Sequence, residues 1–160
     1  MGVAFYPGSF DPFHLGHLDI VEQAVGMFGE LVIGVMHNPA KPSGMFTADE
    51  RADLIRQSTT HLGKAVCVEK FSGLTVDAAA SIKATFIVKS ARTGADFETE
   101  QQMAQTNRAA TGINTVVLFS TPEHQFISST YIRQFAQQGG TMRTNLAPQC
   151  VLEALAKKKS

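Results

Sequence analysis

Two histidines three residues apart, His14 and His17, bracket Gly16 in the run GSFDPFHLGH, where a loop gives way to a segment of helical period. At that spacing both imidazoles face the same way on a first helical turn. A phosphate placed there would meet the turn's free backbone N–H groups, the positive end of the helix dipole and two ring donors. A side chain at position 16 would block close backbone approach, and glycine removes it. Ser9 adds a hydroxyl donor, and Asp11-Pro12 fixes the bend of the loop. The chemistry implied is the gripping of a phosphoryl group while its charge changes. Two histidines could instead bind a metal, but no cysteine and no obvious third ligand accompanies them. The chain contains no GxxxxGK[ST] phosphate loop.

Three other groups of residues suit the same chemistry. Lys41 sits in the breaker-rich stretch HNPAKPSGMF, where an ammonium on a flexible stem acts as a movable point charge for phosphate. Taken alone it reads as a surface lysine. Lys89 and Arg92, three apart in KSARTG, suggest a local phosphate clamp at a strand exit. Ser128, Ser129 and Thr130 open a helical segment that leads to Arg133; serines cap helices, and three hydroxyls in a row also suit a second anion seat. Glu100 reads equally as a solvated helix carboxylate and as a ligand contact. Met103 and Asn107 share a helical face, although Met103 is also an ordinary core filler. Leu74, just past Gly73, is an apolar wall candidate. His37 and His61 have no partner in the sequence and receive no role.

These residues need a scaffold, and the apolar pattern supplies one. Short β-branched or aromatic runs alternate with longer segments of helical period, the signature of βα units closing a parallel sheet. Strands are expected at 3–6, 31–36, 65–68, 85–88 and 115–119. Helices are expected from about Gly16, from a Thr47–Glu50 capping box to near Gly63, and at 75–83, 96–110 and 128–138. A last helix should follow Pro148. Five strands each leading into a helix predict an α/β, doubly wound domain with a five-stranded parallel sheet, whose ligands bind beyond the carboxyl ends of the strands. Every motif above falls just past such an end.

The bulk properties narrow the class. A chain of 160 residues, 44% of them hydrophobic, has the length of one domain, expected to span 1–160. Fourteen basic residues balance fourteen acidic ones, so nothing draws the whole surface to nucleic acid or an anionic membrane. Any anionic ligand must be held locally. Cys67 and Cys150 show no metal-type spacing and read as thiols, and no apolar stretch or leader points away from the cytoplasm. The lysines at 157–159 read as a solvated tail that complements the last helix's dipole.

GSFDPFHLGH resembles the (H/T)xGH signature of the nucleotidylyltransferase superfamily, and ISSTYIR resembles its second signature. Through NPAKPSGMFTADER and TGADFETEQQMAQTNR as well, the chain is similar nearly end to end to the bacterial phosphopantetheine adenylyltransferase family. The resemblance implies a Rossmann-like domain, usually assembled as a homo-hexamer. It implies transfer of the adenylyl group of ATP to 4′-phosphopantetheine, with Mg²⁺ carried mainly by the ATP phosphates. It also implies residue roles. His17, Lys41 and Arg92 would be catalytic. Ser9, Phe10, His14, His17, Arg92, Glu100, Ser128, Ser129 and Thr130 would meet the nucleotide, while Ser9, Lys41, Leu74, Lys89, Met103 and Asn107 would meet the acceptor. Two departures stand out: the family commonly has threonine at the position of His14, and Gly-Leu where this chain has Ser90-Ala91. A full HxGH occurs in sister families that act on nicotinamide mononucleotide or use CTP, which keeps a different acceptor open.

Overall fold

β1 (Ala4–Gly8), β2 (Leu31–Met36), β3 (Val66–Phe71), β4 (Phe86–Ala91) and β5 (Asn114–Phe119) form one parallel sheet in the order β3-β2-β1-β4-β5. The computed structural model describes residues 2–141 and 145–158. Helices α1 (Leu15–Phe28), α2 (Ala48–Ser58), α3 (Thr75–Ser81), α4 (Gly94–Thr111), α5 (Ser129–Gln137) and α6 (Gln149–Lys158) connect and flank the strands. The winding reverses at β1, whose neighbours are the second and fourth strands, so a ligand crevice is expected at its carboxyl end.

The backbone chemistry of β1 explains why a crevice opens there. β1 pairs with β2 through five positions, from Ala4 opposite Leu31 to Gly8 opposite Val35, but with β4 only at Ala4 and Phe5. The Ala4 N–H donates to Glu30 O on the β2 side, and successive residues alternate sides, so Pro7 turns toward β4. Proline has no N–H to give, so the ladder toward β4 cannot continue there. β1 and β4 therefore part where the sheet meets the first loop.

Alternation also sorts the core. Tyr6, Ile33, Val35, Val68 and Val88 pack beneath Ile20, Val21 and Ala24 of α1 and Ala52 and Ile55 of α2, all buried. Phe5 and Ile87 point to the other face, against Ala78 and Ala79 of α3. A third cluster joins Phe46 and Leu54 to Ile132 of α5 and to Val151 and Leu155 of α6. Each large apolar side chain fully buried in this way contributes roughly 1.5–3 kcal/mol.

Most expected elements are present with shifted ends. The Thr47–Glu50 capping box closes with bonds of 3.1 and 2.8 Å. α2 nevertheless stops at Ser58, and a tighter 3-10 segment, Thr60–Ala65, kinks at Gly63, where φ is 57°. β4 extends through Ala91, so Lys89 and Ser90 belong to a strand rather than the expected loop. Pairing with β5 carries them, from Lys89 opposite Val117 to Ala91 opposite Phe119. The C-terminal lysines are less free than expected: Lys158 lies 3.3 Å from the Glu50 carboxylate, while Lys159 falls outside the described residues. Among the described residues, no helix is long and apolar enough to cross a membrane.

Candidate functional site

His14 is the N-cap of α1, with extended backbone, and its ring does what a serine hydroxyl usually does. Its Nδ1 accepts from the Gly16 and His17 N–H groups at 3.0 and 3.3 Å, while His17 Nδ1 accepts from the His14 N–H at 3.1 Å. The result is a capping box built from two imidazoles, whose rings stack at 3.6 Å between centroids. With both Nδ1 atoms accepting, each neutral ring must carry its proton on Nε2. Burial, then the charge of Arg92 and the neighbourhood of His124, lowers the pKa of His14 to about 3. Burial, then His14 and Arg92, holds His17 well below the ordinary imidazole value. Both rings are therefore neutral donors near pH 7.

This corrects the expectation of free amides at the start of α1. The Leu15 N–H donates to Leu146 O and the Leu18 N–H to His14 O, and the two between are taken by the His14 ring. The rings relay the helix terminus instead: each accepts a backbone proton on one edge and presents Nε2–H on the other. Gly16 has a correspondingly different reason. A Cβ there would lie 2.9 Å from His14 Cε1 and 3.0 Å from its Nδ1, so it would strike the capping ring rather than obstruct a ligand. Gly16→Ala should leave the fold intact yet lower kcat about tenfold, because small misplacements of a positioned donor are expensive; steady-state kinetics beside a circular-dichroism melt separate the two effects.

The two rings line a cleft of about 320 Å³ with Gly16, Ser90, Arg92, Asp96, Thr99, Glu100, Ser120, Ser128, Ser129 and Thr130. Arg92 donates through NH1 to Ile127 O at 3.0 Å, and its Nε lies 3.5 Å from Asp96, so β4 is tied to the approach to α5. Ser128 caps α5 by accepting from the Tyr131 N–H, which leaves its own hydroxyl proton available. Ser129 spends its proton on Pro12 O at 2.8 Å. Helical geometry leaves the Ser129 and Thr130 amides without intrahelical partners, so α5 offers the main-chain donors that α1 does not. Ser90 faces this cleft and its hydroxyl bonds Tyr6, whose phenol burial pushes up.

A second cleft, of about 450 Å³, lies on the other side of the first loop and holds Ser9 and Lys41 with Asp11, His37, Asn38, Gly44, Arg51 and Arg133. The buried Asp11 carboxylate accepts from the Met45 and Phe46 N–H groups, both at 2.9 Å. Arg133 NH1 donates to Asp11 O at 2.7 Å. The loop carrying Lys41 is thereby moored to the loop carrying Ser9, and both to α5. Lys41 itself is exposed, as a movable charge must be.

The remaining candidates are dispersed. Lys89 and Glu100 form an ion pair at 3.3 Å, and with Met103, Asn107 and Thr115 they line a narrow crevice of about 10 Å³. Lys89 and Arg92 thus serve different cavities, against the expectation of one clamp, because the extra strand residues carry them apart. Thr115 Oγ1 is the one buried side-chain polar atom without a partner among the described residues. Leu74, at the N-cap of α3, is 65% exposed. Phe10 is buried with φ of 50°, its ring edge-on to Tyr6, Phe13 and His17, so its side chain supports the loop from inside and only its backbone faces outward. Sequence reasoning did not single out Asp11 or Arg51 as site residues. Arg51, a buried polar side chain on a helix of mixed composition, has no periodic signature, and neither does Asp11 in the first loop.

A profile of the cytidylyltransferase-like family matches residues 5–135. The chain is 42% identical over 160 residues, the full length of both chains, to "Phosphopantetheine adenylyltransferase" of Corynebacterium diphtheriae. It is 42% identical over 151 residues to the Synechocystis protein of the same name, covering 94% of this chain and 93% of that one. Among solved structures, it resembles a bifunctional NMN adenylyltransferase/ADP ribose pyrophosphatase from Francisella tularensis, complexed with AMP and a manganese ion, at TM-score 0.71 and 14% identity. The same Francisella enzyme in a second structure gives 0.73 and 15%. The chain spans about half of those two structures, with 98% of itself and 49% of theirs covered, and at such identity the likeness concerns the fold.

Proposed function

Because the chain belongs to the cytidylyltransferase-like family and, within it, to the phosphopantetheine adenylyltransferases, we propose that it transfers the adenylyl group of ATP to 4′-phosphopantetheine, giving dephospho-coenzyme A and pyrophosphate in coenzyme A biosynthesis. The observation that carries this reading is the pair of neutral, mutually capped imidazoles between two clefts that the first loop and the start of α1 help to line.

An oxygen of the acceptor phosphate attacks the α-phosphorus in line, and the bond to the bridging oxygen breaks as pyrophosphate departs. The acceptor phosphate is already anionic, so no protein nucleophile is required. What remains is positioning and charge. Nε2–H of His17 and of His14 donate to the α-phosphoryl oxygens, and neutrality suits them to the task, since neither need lose a proton. Lys41 swings from the second cleft to draw the acceptor phosphate toward the first, with Ser9 as a further donor. Arg92, Ser128 and the amides of Ser129 and Thr130 receive the leaving pyrophosphate. Glu100 would meet the ribose, and Leu74, Lys89, Met103 and Asn107 the acceptor's arm; the orphaned Thr115 hydroxyl in that crevice supports a ligand there.

Among the described residues, no group of three or more His, Cys, Asp or Glu side chains could hold a metal ion. Mg²⁺ is proposed to arrive as the ATP complex, since it binds phosphates readily and keeps its waters. We further place the protein in the cytoplasm as a single domain over 1–160, assembled as a homo-hexamer. Exposed Phe119, Phe126, Tyr131 and Phe135 are in keeping with contact between copies, which light scattering after size exclusion would measure. The function is tested by pyrophosphate release from ATP with 4′-phosphopantetheine, nicotinamide mononucleotide or glycerol phosphate as acceptor. Release with the first and not the others is expected. Release only with another acceptor would overturn the substrate assignment.

A further inference from the structure

Arg51 stands where a cation is least expected. It is the fourth residue of α2, on the turn that carries the positive end of the helix dipole. It is buried, with 6% of its surface exposed, and it forms no ion pair among the described residues. Side chains on a helix lean toward its N-terminus, and this one leans into the Lys41 cleft. There its guanidinium is spread over three carbonyls: Nε donates to Phe46 O at 3.1 Å, and NH1 to Ser9 O at 2.7 Å and to Met36 O at 3.4 Å. Those oxygens belong to the end of the lysine loop, the first loop and the end of β2. The Asp11 carboxylate lines the same cleft and accepts from two amides of the lysine loop, which does not cancel its charge. That one carboxylate faces the cations of Arg51, Lys41 and Arg133, and positive charge buried in excess of negative is costly, whereas carbonyl dipoles alone could be satisfied by a neutral donor. The cleft is therefore short of negative charge, and an anion entering it would supply the missing partner.

We infer that Arg51 is the positioning residue of the acceptor-phosphate half of the site: it locks the Ser9 and Lys41 loops together and biases the cleft between them toward a phosphomonoester. This rests on the acceptor reading above. The planar fork is essential to the locking, because an ammonium cannot meet three carbonyls from one fixed plane. The charge is essential to the bias.

The experiment compares wild type, R51K and R51M in two measurements, with thermal melts to establish folding. The first is calorimetric binding of 4′-phosphopantetheine and of pantetheine, which differ only by the phosphate. Wild type should prefer the phosphorylated compound, and R51M should cut that preference on the order of tenfold or more, with R51K recovering part of it. The second is steady-state kinetics, in which R51K should raise KM for the acceptor severalfold and leave KM for ATP within about twofold. Equal weakening toward both compounds, or a lower kcat with both KM values unmoved, would show a merely structural residue and overturn the inference. Should wild type turn over only a different phosphomonoester, the acceptor assignment fails, and the same variants are read with that compound and its dephosphorylated form.

Discussion

His17→Ala should lower kcat on the order of 10²–10³-fold while changing KM for ATP little. The ring presents one Nε2–H to the cleft, and removal of one preorganised donor to a developing phosphoryl charge costs about 2.7–4 kcal/mol of transition-state stabilisation. On the proposed reading, ground-state binding of ATP is spread over Arg92, Ser128 and the α5 amides, which line the same cleft, so the nucleotide should still dock. Alanine also removes the Nδ1 acceptor of the His14 N–H, a loss of about 1–3 kcal/mol. Against an ordinary stability of about 5–15 kcal/mol the variant remains folded. A lower melting temperature beside a far larger fall in kcat is thus the expected pattern, measured by pyrophosphate release and calorimetry on the same preparation. A kcat reduced only in proportion to the unfolded fraction would reject His17 as a catalytic residue.

How far the sequence reveals this arrangement depends on whether a feature is periodic. The alternation of apolar runs gives all five strands, and β2 is read from Leu31 to Met36 without error, because it is short, β-branched and bounded by polar residues. The end of β4 is misplaced because Lys89 and Ser90 look like loop residues, whereas pairing with β5 and the bonds of Lys89 to Glu100 and Ser90 to Tyr6 keep them in the sheet. The histidine pair is visible as spacing plus a helix start. What spacing cannot reveal is that imidazoles replace the usual capping hydroxyl and so consume the amides. Nor can it reveal the ties that Arg51, Asp11 and Arg133 make to residues 15 to 122 positions away along the chain. Tertiary contacts of that kind have no local signature.

The same imidazole cap makes the fold sensitive to acid, and the sign follows from the direction of the shifts. The unfolded chain binds a proton on each histidine near pH 6.5, whereas folded His14 resists until about pH 3 and folded His17 until well below the ordinary value. The unfolded state therefore holds more protons through that window, and stability falls as pH falls. The contribution is fully present above about pH 6.5 and is withdrawn at about 1.4 kcal/mol per pH unit for each ring. Protonation in place gives no escape, since it would put hydrogen on the Nδ1 that accepts from Gly16 and His17 and set two stacked rings in like charge. His14→Thr separates this from general acid effects. Thr47 shows that a threonine hydroxyl can cap a helix in this protein, and it does not titrate. Urea unfolding between pH 7 and pH 5 should give wild type a steep loss of stability and His14→Thr about half that slope. Parallel curves for the two proteins would mean that the cap is not where the acid sensitivity resides.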